Sequence, residues 1–338
     1  PATGVSAVVL NVTVTAPTSF GFLTVFGGAT SRPTASNLNF VTAQTVPNLV
    51  ITPVGANGQV DLYNGSTGTI QLVADVSGYS LGGTPTAAGA FGSLAPVRLL
   101  DTREGTGAAK AAVAAHGTVH LQVSGKGGVP ASGVSAVILN VTVTAPTSFG
   151  FVTASAGGAT RPTASNLNFV KSQTVPNLVI APVGSNGQVD LYNGSTGTTQ
   201  LLADVSGYYL AGTPTLDGAF GALAPTRLLD TREGIGAPKN AVAAAGTVHL
   251  QVTGNGGVPA SGVSAVVLNV TVDAPTAFGF VTAFAGDTSR PTASKLHFVK
   301  AQTGPNRVIA PRRPHGRRHP QHRQTRPATP RPPLAAGV

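Results

Sequence analysis

The chain has 338 residues, 41% hydrophobic and only 9% charged, with no Cys, Met or Trp. That apolar content is enough for packed cores and argues against global disorder. The lack of cysteine excludes disulfides and thiolate metal sites. The net charge is +10, but residues 312–338 hold seven Arg and no acid, and without them it falls to +3. The nucleic-acid reading that a basic chain invites therefore does not extend to the body of the molecule, and no nucleic-acid partner is expected. No apolar run reaches the roughly 18 residues of a membrane-spanning helix, so no span is expected.

Gly (43) and Pro (26) are abundant and Val and Thr recur throughout, a composition that favours short strands and tight turns. The main fact is a repeat. The segment opening Pro1-Ala-Thr-Gly-Val-Ser-Ala-Val-Val-Leu-Asn11 returns from Pro130 and from Pro259, a period of 129 residues. This is far longer than the roughly 20–50 residues of a solenoid unit, so each copy reads as a module. The chain begins at Pro1 inside a repeat, which reads as a fragment whose leader would lie upstream.

In chain order, residues 1–80 are the C-terminal part of a truncated module, and 81–89 (LGGTPTAAG) read as a linker. Residues 90–209 are a complete module, 210–218 (LAGTPTLDG) a second linker, and 219–311 the N-terminal part of a third module. The complete module predicts strands at 97–103, 118–124, 136–144, 149–155, 165–170, 177–183, 188–192 and 199–209. Period-two alternation carries several of them: Val137, Leu139, Val141 and Val143 against Asn140, Thr142 and Thr144, for example. The stretch 177–183 is apolar on both faces, as a central strand would be. Asn186-Gly187 gives the strongest hairpin signal. The expected fold is all-β, as tandem antiparallel β-sandwich modules of immunoglobulin-like or jelly-roll topology, with a closed β-barrel as the alternative. A complete module of this size is expected to fold alone as a monomer.

The third copy ends abruptly. After Ile309-Ala310-Pro311 the continuation is not the Val183-Gly-Ser-Asn type but Arg312-Arg-Pro-His-Gly-Arg-Arg-His. Such a switch suggests a shift of reading frame in GC-rich DNA, and residues 312–338 are expected to form a disordered basic tail. A genuine basic arm for an anionic polymer, and a metal tract of His315, His319 and His322, are the alternatives. Just upstream, Gly304 replaces the Val175 type and Arg307 the Leu178 type.

Candidate chemistry is sparse. Asp101 and Arg103, repeated as Asp230 and Arg232, lie in Arg-Leu-Leu-Asp-Thr-Arg-Glu strings and share a face at strand spacing, which reads as a structural ion pair or an anion clamp. His120 and His249 stand on the polar side of their strands. No Ser-His-acid elbow or phosphate loop is present, so no catalytic residue, metal or cofactor is assigned. Asn166, Asn168, Gln188, Asp190 and Tyr192 share the polar face of their strands and form the candidate ligand-binding set. Amide, carboxylate and ring on one rigid face suit a glycan, such as a cell-wall polysaccharide. Asn11, Asn140 and Asn269 fit glycosylation sequons.

The strings RLLDTRE, GVSAVILNVTVTAP, RPTASNLNF, QTVPNLVIAPVG, GQVDLYN and LLADVSGYY resemble tandem β modules of large secreted or cell-surface bacterial proteins. Those modules are often found beside extracellular enzymes such as peptidoglycan amidases. The resemblance implies an extracellular or cell-surface location and an accessory role. The expected function is a non-enzymatic spacer or adhesin, the alternative a carbohydrate- or cell-wall-binding accessory module of a secreted enzyme. Oligomeric state is not readable from the sequence.

Overall fold

The computed structural model describes residues 3–286 and 288–311; the basic tail expected to be disordered, 312–338, lies outside them. Among the described residues there is no helix. The first copy contributes β1 (Val5–Thr15), β2 (Gly21–Gly27), β3 (Leu38–Phe40), β4 (Val46–Pro53), β5 (Val60–Asn64) and β6 (Gln71–Leu81). The complete copy contributes β7 (Phe91–Asp101), β8 (Thr118–Gln122), β9 (Val134–Thr144), β10 (Gly150–Ala156), β11 (Leu167–Phe169), β12 (Val175–Pro182), β13 (Gln188–Asn193) and β14 (Gln200–Leu210). The third contributes β15 (Ala265–Val272), β16 (Gly279–Val281), β17 (Leu296–Phe298) and β18 (Gly304–Pro311).

The complete copy is a sandwich of two antiparallel four-stranded sheets, ordered β12-β9-β14-β7 and β11-β10-β13-β8. Its first strand lies beside its last and its second beside its seventh, which is the double-sheet jelly roll among the expected topologies. The closed barrel is not formed. Consecutive strands mostly change sheet. Only β10 and β11 make a hairpin, with Gly150 opposite Phe169. Asn186-Gly187 therefore does not close the hairpin that its sequence signals. Gly187 does take the left-handed backbone (φ 73°), but β12 and β13 leave the turn into opposite sheets. The first strand also starts six residues earlier than its alternation predicts, at Phe91.

Inside this sandwich Val137, Leu139, Val141 and Val143 of β9 meet Val152, Leu167, Val189, Leu191 and Leu201 in one core. The opposite face of β9, expected to be polar and outward, is buried too. So is β12, which is an edge strand and not the central one its apolar pattern suggests. The reason is that the copies pack on one another. Ala7, Val9, Leu49 and Ile51 of the first copy meet their equivalents Ala136, Ile138, Leu178 and Ile180 of the second in a shared cluster, with Val267 and Ile309 of the third against it.

Hydrogen bonds fix this packing with one repeated motif. Asn48 Nδ2 donates to Asn140 Oδ1 at 3.0 Å, Asn177 Nδ2 to Asn269 Oδ1 at 3.1 Å, and Asn306 Nδ2 to Asn11 Oδ1 at 3.0 Å. Each step carries one copy onto the next, and the third returns to the first. Three equivalent steps that close are a rotation about one axis, so the copies form a pseudo-threefold ring. The start of the third copy is tied to the first linker and to the end of the second copy: Phe220 N donates to Gly89 O at 2.9 Å, and the Phe220 ring stacks on Tyr209 at 4.2 Å.

Candidate functional site

The Asp101 string builds a tight ionic knot. The end of β7 pairs with β14 so that Arg98 opposes Asp204 and Asp101 opposes Leu202. Arg98 reaches Asp204 Oδ1 through Nε at 2.5 Å and Asp101 Oδ2 through Nη1 at 2.9 Å. Arg103 grips the same Asp101 through Nε at 2.9 Å and Nη2 at 2.6 Å. The Arg103 fork holds the Asp101 carboxyl at about 2, well below the ordinary range. Burial pushes Asp204 the other way. The third copy repeats the fork: Arg232 binds Asp230 through Nε at 3.0 Å and Nη2 at 2.8 Å and lowers its pKa. Asp101 and Asp204 are buried, and each carboxylate oxygen accepts at least one bond from an arginine. This is the geometry of a strand-end lock, in which Asp101 and Asp204 are held by Arg98 and Arg103 while part of the Arg103 side chain stays exposed.

The second candidate surface is the outer face of the β11-β10-β13-β8 sheet. Register sets Asn168 opposite Phe151, Tyr192 opposite Thr153 and Thr118, and Asp190 opposite Ser155 and His120. Asn168, Gln188, Asp190 and Tyr192 therefore share one face, as the strand alternation implies. Asn166 does not belong to it. Its side chain is buried, and its Oδ1 accepts from the backbone N–H of Ala154 at 2.7 Å. The residue precedes β11, where the chain turns inward and the period-two rule no longer applies.

The face differs from a simple polar strip. Tyr192 does not offer an open ring. The guanidinium of Arg161 lies 3.8 Å from its centroid, Phe151 tilts against it at 6.4 Å, and its hydroxyl pairs with His116 Nδ1 at 3.0 Å. Asp190 is largely covered: it takes His120 Nδ1 at 2.7 Å and the N–H of Gly158 at 3.2 Å. Gln188 is tied to Asn186 at 2.9 Å and Asn168 to Ser165 at 3.0 Å. The exposed groups are thus the guanidinium of Arg161, the imidazoles of His116 and His120 and the edge of Tyr192. The first copy repeats the stack, with Arg32 4.0 Å over Tyr63. The sequence reading missed Arg161 and His116 because they sit in loops 31 and 76 residues from Tyr192. The available signal was the recurrence of Arg-Pro-Thr-Ala-Ser at Arg32, Arg161 and Arg290.

The sequon asparagines have another use. Asn11 and Asn140 are buried, and Asn140 Nδ2 donates to Ser36 O of the neighbouring copy at 2.7 Å. Asn269 makes the same bond to Ser165 O at 3.0 Å. In the folded ring these amides are structural links. Among the described residues no group of three or more His, Asp or Glu is placed to hold a metal ion. In comparisons with known proteins, no family model, no curated protein and no solved structure matches this chain.

Proposed function

We propose that the chain is a non-enzymatic extracellular or cell-surface repeat protein, whose modules serve as a rigid spacer and adhesin. The observation that supports this most directly is the asparagine ring. Three copies lock together through buried side-chain bonds that repeat from seam to seam, and the charged string that most resembles a site is consumed in a strand-end lock. A ring tied by buried hydrogen bonds suits a rigid body that holds its outer surfaces in fixed positions. Intact producing cells, labelled with antibody to residues 90–209 before and after protease shaving, test it. Surface label lost on shaving is expected, and label seen only in lysed cells overturns the reading.

A second reading, glycan binding by an accessory module, has its own support in the outer face. Arg161, His116 and Tyr192 form a cationic and aromatic edge that suits a sugar carboxylate or phosphate. Cosedimentation of the chain with insoluble peptidoglycan or anionic polysaccharide is expected to weaken in Arg161→Ala and Tyr192→Ala. No retention at millimolar sugar removes this reading and leaves the first untouched.

A further inference from the structure

Each copy holds the same two apolar side chains out in water. Phe20, Phe149 and Phe278 occupy equivalent positions and are 76%, 75% and 86% exposed. Val41, Val170 and Val299, equivalent to one another, are exposed as well. Gly150 and Phe169 are the first pair of the β10–β11 hairpin, so Phe149 and Val170 stand together just outside it. The complete copy has every strand of its sandwich, and its Phe149 is uncovered all the same.

The backbone around these tips is fixed and strained. Ala145 and Ser172 take the left-handed conformation (φ 49° and 62°), as do Ala16 and Ala43 (48° and 63°) and Ala274 and Ala301 (47° and 61°). The N–H groups of Ser172, Ala43 and Ala301 donate to the carbonyl oxygens of Pro146, Pro17 and Pro275, each at 2.8 Å. Thr147 N–H donates to Thr198 O at 2.9 Å and brings in a third loop. A residue with a Cβ is strained at positive φ. Here the strain secures no core contact, because the side chain that it presents lies in water. Strain of this kind collects at binding surfaces.

The ring places the three tips together. Strands β4, β12 and β18 each touch the other two, and Leu49 with Leu178, and Ile51 with Ile180 and Ile309, meet in the shared cluster. These strands therefore line the pseudo-threefold axis. Each begins directly after its Val-bearing loop, 41–45, 170–174 or 299–303, so the tips lie at one end of the axis. Points related by rotation have the same height along it, and the three phenylalanines define a plane across that end. The second linker leaves from the other end, where Tyr209 and Pro182 both lie opposite Ala136. The chemistry of the tips is uniform. Loops 145–149, 170–174 and 193–199 hold one charge, Lys171; loops 16–20, 41–45 and 64–70 hold none; loops 274–278 and 299–303 hold one, Lys300. The acid beside them, Asp273, is bonded to Arg232 and Thr303.

We propose that this end of the ring docks on an anionic lipid bilayer. Phe20, Phe149 and Phe278 enter the headgroup boundary, and Lys171 and Lys300 meet lipid phosphates. A fluid surface accepts three separate tips at one height, whereas a protein partner would need a matching pocket for each. The site uses neither Arg161 nor Tyr192, so it stands apart from the glycan reading.

Because the chain has no Trp, Phe149→Trp in the full chain supplies a single reporter. With vesicles of equal parts phosphatidylcholine and phosphatidylglycerol, its emission is expected to shift to the blue and to be quenched by lipids brominated on the acyl chains. Emission that vesicles leave unchanged overturns the proposal. In cosedimentation with the same vesicles, each Phe→Ser change should weaken partitioning about fivefold and all three about a hundredfold. The urea midpoint should stay the same, since these side chains are exposed. A triple variant that partitions like the unmodified chain would assign binding to the arginines of 312–338 or to another surface, and refutes the proposal. Lys171→Gln with Lys300→Gln should weaken partitioning about tenfold, and equal binding would overturn the assignment to anionic lipid. Light scattering without vesicles tests the other occupant. Concentration-dependent association that the triple variant abolishes would mean that this face joins two rings, against the proposal.

Discussion

Arg307 occupies the place that Leu49 and Leu178 hold in the other two copies, and its Nε donates to the carbonyl oxygen of Leu178 at 3.3 Å. The side chain is buried and its Nη2 has no partner. Burial pulls its pKa down to about 10. At the other seams the backbone N–H of Leu178 donates to Asn48 Oδ1 at 3.2 Å and that of Leu49 to Asn306 Oδ1 at 3.1 Å. The third such acceptor, Asn177 Oδ1, is left without a donor. One substitution thus disturbs both the apolar cluster and the hydrogen-bond ring.

Arg307→Leu is therefore expected to stabilise the chain, by about 3 kcal/mol, because it removes a buried charge with no acid to meet it. Urea unfolding should show a higher midpoint with an unchanged slope. An unchanged or lower midpoint would mean that the ring relaxes around the guanidinium at no cost.

Asn48→Ala should act in the opposite sense. It removes the donor to Asn140 and the acceptor for Leu178 N–H, leaving buried polar groups unsatisfied at about 1–3 kcal/mol each. The loss should appear first as faster amide exchange in β9 and β12 at the seam. Exchange that rises only within β4 would assign Asn48 a role inside its own copy.

Acid should loosen the strand-end lock. The folded-state pKa of Asp101 lies at about 2 and that of Asp230 is also depressed, below the unfolded value near 4. The stabilisation they bring is present above about pH 4 and is lost as pH falls through about 2. Asp204, raised by burial, works in the other direction. Melting temperature followed from pH 5 to pH 2 should drop, and Arg103→Gln should shallow the drop. An equal slope in that variant would place the titrating groups elsewhere.

Residues 90–209 read from sequence as a self-sufficient monomer. The structure changes that expectation, because Ala136, Ile138, Leu178 and Ile180 are covered by other copies and not by their own sandwich. The isolated module carries both halves of the seam, Asn140 with its neighbours and Asn177, and should associate as a trimer. Sedimentation of the purified fragment decides between one and three, and Leu178→Arg should push it toward the monomer.

What the sequence made legible was local. The alternation of β9 correctly placed Val137, Leu139, Val141 and Val143 in a common core, and the shared face of Asn168, Asp190 and Tyr192 followed from the same rule. Sheet membership was not legible. Asn186-Gly187 looks the same in a hairpin as in a crossing between sheets, since the turn depends only on local dihedrals. The double burial of β12 was visible, but it was assigned to a central strand when its cause is an edge strand covered by another copy. Asn140 looked like a polar position on an outer face because a side chain that bonds a second module carries no mark of it in its own module. Arg161 was invisible for a related reason: its ring partner lies two strands and two loops away.

The return of Asn306 to Asn11 has a consequence for how such genes lengthen. A recombination event that inserts one further copy would leave the newcomer with an amide and a carbonyl that find no counterpart, since the ring is already full. An insertion of three copies would bring its own complete set. A fourth copy would find no open seam in this ring, so three copies are the unit that the buried amides close.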